Sequence, residues 1–215
     1  MLDQCFLHLV ALRLEDGRAG GTAVQDLAPS TAGLPVYVTK WVDYSTTYGF
    51  GYVLSDGTVG VLFGDGARLT CSRSGLVRSR GAGGEVVLPR SEVPPGGNVA
   101  ERLKCLDVLG DYMARHLAGA ASTTGGEGGQ QVVAWNRQAK YIAIQLSEEV
   151  LQVNGLVSHA KAVVWRRGGA LLLTLLSPGG GETWRVEGRL APALLDTVAQ
   201  VLAQLPALAK VCPEQ

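Results

Sequence analysis

The chain has 215 residues, 47% of them hydrophobic, and its 19 basic side chains are matched by 19 acidic ones. That length supports one sizeable core or two small domains of about 100 residues each. The charge balance excludes a global field steering the protein to nucleic acid or an anionic membrane, so any anion recognition has to be local.

Taken in chain order, the first apolar residues, Leu2, Phe6, Leu9, Val10 and Leu14, fall at helical spacing and predict a short amphipathic helix. Asp3 stands where the basic start of a signal peptide would be, and no small-residue cleavage site follows closely. Residues 15 to 34 are rich in Gly, Ala, Ser and Thr and read as a linker, so 1–35 is taken as helix plus linker. Cys5, Cys71, Cys105 and Cys212 are scattered and form no CxxC or Cys/His set. They predict neither zinc nor disulfides, and fit reduced thiols of an intracellular protein.

From residue 36 to about 88 the pattern alternates with glycine punctuation, which predicts an antiparallel meander. Its densest part, Lys40 to Phe63, holds Trp41, Tyr44, Tyr48, Phe50 and Tyr52 before Asp56-Gly57, read as a two-residue hairpin turn. Trp41 is open to two readings, a core aromatic or a binding contact. Asn98 is the expected N-cap of a helix running to about Ala118, with Glu101 in the capping-box place and an apolar stripe from Val99 to Leu117. Residues 36–119 thus form one predicted domain, 120–132 a flexible linker, and 133–215 a second domain repeating meander plus helix. The second helix is read from Leu194 to Leu205. The longest apolar run, Ala170 to Leu176, is too short to cross a bilayer, and a soluble protein is expected.

No nucleotide-binding, kinase, hydrolase or metalloprotease motif is present, and His8, His116 and His159 are too dispersed for a triad or metal set. No enzyme, cofactor or metal is therefore expected. One constellation carries chemistry: His159 and Lys161, two apart on a predicted strand, project to one face and suit a phosphate. An ordinary polar strand edge is the other reading, and Arg166-Arg167 nearby fits a solvated loop.

The segment WVDYS..YGFGY.LSDG.VGVLF resembles the opening of the first polo box of the polo-like kinases. Gln152-Val153-Asn154 followed by His159 and Lys161 resembles the second-box motif, and Tyr112-Met113 with His116-Leu117 resembles the first helix's ending. The resemblance implies an α+β fold of two polo boxes, each a six-stranded antiparallel sheet with one C-terminal helix, after a short capping helix. It implies a non-catalytic targeting module clasping a Ser-pSer/pThr peptide, with His159 and Lys161 gripping the phosphate. Trp41 would fix the preceding serine, while Asp43, Leu117 and Asn154 would line the groove. Partners would be Ser/Thr phosphoproteins primed by another kinase, in cytoplasm, nucleus and centrosome, with no nucleic acid or membrane involved. The chain looks like a member whose kinase domain is absent or truncated.

Departures from the family pattern imply changes in that groove. Gly155-Leu156-Val157 and Val108-Leu109 replace usual aromatics, making an adjoining side pocket more aliphatic, and Ser158 and Ala160 replace an acid and a threonine around His159. Two alternatives follow: a scaffold whose phosphate grip has decayed, working through phosphate-independent contacts, or the regulatory tail of a kinase.

Overall fold

The computed structural model describes residues 27–29, 33–118, 129–137, 139, 141–147, 150–156, 161–167, 170–177 and 180–186. The helices expected at 2–14 and 194–205 lie outside them. The chain divides into two units, Val36–Val133 and a second made of Met1–Pro35 with Ala134–Gln215.

The first unit is a six-stranded antiparallel meander in sequential order: β2 Val38–Tyr44, β3 Gly49–Leu54, β4 Val59–Leu62, β5 Arg68–Cys71, β6 Leu76–Gly81 and β7 Gly84–Pro89. Three of its connections repeat one device. Leu54, Phe63 and Ser72 each accept a backbone bond from the glycine three residues on and donate to the carbonyl four on. Gly57, Gly66 and Gly75 close these loops with φ of 85°, 80° and 79°. Asp56 Oδ1 accepts from Thr58 N–H at 2.9 Å, and Asp65 Oδ1 from Ala67 N–H at 3.1 Å. The Asp56-Gly57 connection is therefore a three-residue loop, a turn ending in a left-handed glycine, and not the two-residue turn expected. The acid bonds forward to the backbone while glycine takes the left-handed φ, which lengthens the loop by one residue.

Alternation in the strands separates two faces. On one lie Val42, Val61, Leu69 and Val77, packed against Leu103, Leu106, Leu109 and Met113 of helix α1, Asn98–His116. The apolar stripe of α1 faces the sheet as its spacing predicts, with Val99 and Leu117 at the fringe. Its start differs from expectation: Gly97 is the N-cap, and no side chain caps the helix. Asn98 sits one position inside, and Glu101 bonds Lys104 at 2.8 Å in place of the backbone.

On the opposite face Trp41 stacks on Phe50, with ring centroids 5.9 Å apart, and Phe50 on Tyr52 at 6.4 Å. Tyr52 is fully buried and crosses over Gly60, where any side chain would collide with its ring. Its hydroxyl accepts the Val132 N–H at 3.0 Å, so residues at the end of the expected 120–132 linker are docked on this sheet.

The second unit is a seven-stranded sheet in which β1 Leu27–Pro29, β13 Gly180–Val186, β12 Ala170–Ser177, β11 Lys161–Arg167, β10 Val150–Gly155, β9 Tyr141–Leu146 and β8 Val132–Arg137 follow one another in that order. Its own meander comprises β8 to β13. The seventh strand, β1 Leu27–Pro29, comes from the stretch read as linker and pairs antiparallel with β13. A short edge strand ending in proline carries little sequence signal, because one of its sides needs no partner. Cross-strand register puts Gln152, Val163, Thr174 and Thr183 in one row. Trp165 Nε1 donates to Thr174 Oγ1 at 2.9 Å, and Thr174 shares a hydroxyl bond with Thr183, so the two threonines are buried and satisfied.

Candidate functional site

The expected site residues fall on both units. In the first, Trp41 is half-buried on β2, its ring held by Phe50. Asp43, one alternation on, is exposed and turns its carboxylate back: Oδ1 accepts from Ser45 N–H at 3.1 Å and from Ser45 Oγ at 2.7 Å. This local bond shapes the exit of β2 into the turn at 44–48. Leu117 is the C-cap of α1, half-buried against the helix–sheet core, with its N–H donated to the Met113 carbonyl at 3.2 Å. Lys40 Nζ also donates to that carbonyl, at 3.3 Å, placing a cation at the negative end of the helix dipole.

Beside Asp43 lies an aromatic rim that spacing did not disclose. Tyr44 meets Tyr112 edge-on with centroids 5.9 Å apart, and Tyr112 lies 4.8 Å from the His116 ring. The aliphatic replacement expected at Val108-Leu109 divides: Leu109 is buried under the sheet, and Val108, 59% exposed, alone faces outward.

In the second unit Asn154 and Lys161 are cross-strand partners on β10 and β11. Asn154 is buried, and its Oδ1 accepts from Gln152 Nε2 at 2.7 Å. Gln152 is not among the expected site residues, although its place two residues from Asn154 on one strand puts both on the same face. Lys161 is half-buried, and burial holds its ammonium below the ordinary lysine range. A desolvated ammonium gains more from a nearby dianion than a hydrated one does. His159 lies outside the described residues, so its convergence with Lys161 stays an expectation.

Among known proteins, the family profile "POLO box duplicated region" matches residues 46–77, the loop and strands that follow Trp41. The chain is 31% identical over 149 residues to serine/threonine-protein kinase PLK1 of Xenopus laevis, covering 65% of this chain and 25% of that protein. It is 31% identical over 168 residues to mouse inactive serine/threonine-protein kinase PLK5, covering 75% of this chain and 28% of that one. The budding yeast Cdc5 polo-box domain superposes with TM-score 0.68 at 21% identity, covering 95% of this chain and 89% of the other. The chain carries a polo-box domain of the polo-like kinase family. Its α+β architecture of antiparallel sheets with a packed helix is that of the polo-box fold. This polo-box chain spans about a quarter of the length of the kinases it matches.

Within the polo-box fold, the residues carried over by motif take different parts. Trp41 is stacked on Phe50, Asn154 is bonded to Gln152, and Lys161 stands opposite Asn154 on the next strand. Asp43 and Leu117 already have structural tasks, shaping a turn and capping a helix. Among the described residues no group of acidic, histidine or cysteine side chains could hold a metal.

Proposed function

We propose that this chain is a non-catalytic phosphopeptide-binding module that docks on Ser-pSer or Ser-pThr motifs of proteins primed by another kinase. The observation that carries the reading is the Asn154–Lys161 pair: a half-buried ammonium set across the strand from a buried amide. Support also comes from a crystal structure similar to this chain, that of the budding yeast Cdc5 polo-box domain in complex with Spc72 phosphopeptide, with TM-score 0.66 at 23% identity. His159 and Lys161 grip the phosphate; Trp41, held by Phe50, packs on the peptide and reads the preceding serine; Asp43, Leu117 and Asn154 support the groove. Binding, not chemistry, is the mechanism: the phosphate supplies charge-assisted acceptors and the aromatic supplies sequence preference. The whole protein's role is targeting and scaffolding in the cell cycle, inside the cell.

The test is fluorescence polarisation with a Ser-pThr-Pro peptide and its unphosphorylated twin. The phosphorylated peptide is expected to bind at least about tenfold more tightly, and the His159→Ala/Lys161→Ala chain to lose that difference, since hydrogen bonds to charged groups contribute about 1.5–3 kcal/mol each. Equal binding of both peptides to the native chain would sink the reading in favour of phosphate-independent contacts.

A further inference from the structure

We propose that Arg68, Arg78 and Arg80, on the face of the first sheet away from α1, form a second oxyanion site that takes a phosphomonoester. Cross-strand register sets Arg68 directly opposite Arg80 and Thr70 opposite Arg78, so all three arginines share one face of β5 and β6. Directly opposed side chains have Cβ atoms about 4.5–5.5 Å apart, and like charges placed directly opposite destabilise the pair unless an anion joins them. Among the described residues, the acid on this face that reaches them is Glu85, opposite Arg80 on β7, and it is taken by Arg78 Nη1 at 3.1 Å. Among the described residues no carboxylate pairs with Arg68 or Arg80.

A second observation points the same way. Arg68 Nε and Arg78 Nε are both buried without a hydrogen-bond partner among the described residues. A buried N–H left unpaired is costly, and here two belong to neighbouring guanidinium groups. Gln131 lies on the same face, where its Nε2 donates to Thr70 Oγ1 and to the Arg78 carbonyl, each at 3.4 Å. Because the chain is neutral as a whole, this concentration of positive charge is local. Three guanidinium forks against one carboxylate leave an excess of positive charge. A phosphomonoester dianion, with three acceptor oxygens, matches that excess better than a single carboxylate. The site lies wholly within residues 36–133 and shares no residue with the grip assigned to His159 and Lys161.

The experiment follows the arginine Nε–Hε resonances of the full chain by NMR during titration with inorganic phosphate, with sodium chloride at matched ionic strength as control. Saturable shifts of Arg68 and Arg78 with phosphate and not with chloride are expected. The Arg68→Gln/Arg80→Gln chain, checked for an unchanged backbone amide spectrum, should lose affinity by about tenfold or more, with Arg68→Lys falling between. The His159→Ala/Lys161→Ala chain should respond like the native protein, which separates this site from the one proposed above. A single-phosphoserine peptide identifies the source: tighter binding than inorganic phosphate marks a peptide-borne group, and equal binding marks a free anion. Linear shifts matched by chloride, or an unchanged response in the double arginine variant, would overturn the proposal.

Discussion

At the scale of single residues, Tyr52 shows how one side chain ties distant parts of the chain together. Its ring needs Gly60 beneath it, and its hydroxyl satisfies the buried Val132 N–H. Tyr52→Phe keeps the ring and orphans that donor, which should cost about 1–3 kcal/mol in chemical denaturation. A loss too small to measure would show that the bond contributes nothing. Lys161 carries a pH prediction with a definite sign. Burial lowers its pKa from the ordinary 10.5, so between the lowered value and 10.5 the unfolded chain holds more protons than the folded one. Folding stability accordingly rises with pH across that window. A bound phosphate acts oppositely by favouring the ammonium, so peptide affinity should fall as pH climbs through the lowered pKa, with proton uptake on binding. Calorimetry in alkaline buffers of different ionisation enthalpy reads that uptake, and Lys161→Arg should move the fall to higher pH.

At the scale of elements, the first sheet is built from one loop grammar used repeatedly, and the triplets S-D-G, G-D-G and R-S-G spell it out along the chain. Gly66 tests it cleanly, because a side chain there would meet nothing within 4 Å and only its φ of 80° objects. Gly66→Ala should therefore cost about 1–2 kcal/mol through backbone strain alone, with Gly66→Asn costing less, as thermal unfolding can show. Helix α1 was equally legible, since a stripe spaced by three and four has one face to bury. Its cap was not, because whether Gly97 or Asn98 begins the helix depends on a single residue of register that local sequence leaves open. Leu106→Ala, deep under the sheet, should remove about 2–5 kcal/mol.

For the molecule as a whole, two units of different content follow from one repeated pattern. The second sheet borrows β1 from the N-terminal stretch, which covers the edge of β13. A chain lacking residues 1–32 should show faster amide exchange in β13 and a greater tendency to aggregate, with exchange in β3 to β6 unchanged. A fragment spanning 36–133 lacks Asn154, His159 and Lys161, so it should fail to bind the Ser-pThr-Pro peptide while still responding to inorganic phosphate through its arginines. Full peptide affinity in that fragment would remove Asn154, His159 and Lys161 from the site.

Sequence alone determined the alternation of the strands, the glycine loops, the buried stripe of α1 and the family resemblance carried by Trp41 and the Gln152-to-Lys161 motif. These are local regularities, written in period and in residue type, and they survive without knowledge of neighbours. Tertiary structure decided what depends on meeting partners far apart in the chain. It brought Val132 to Tyr52, Leu27–Pro29 to β13 and Arg68 opposite Arg80. It also showed that Asp43 bonds a turn and that Leu109 belongs to the core. Those assignments follow from strand register and from desolvation, which a one-dimensional pattern does not encode.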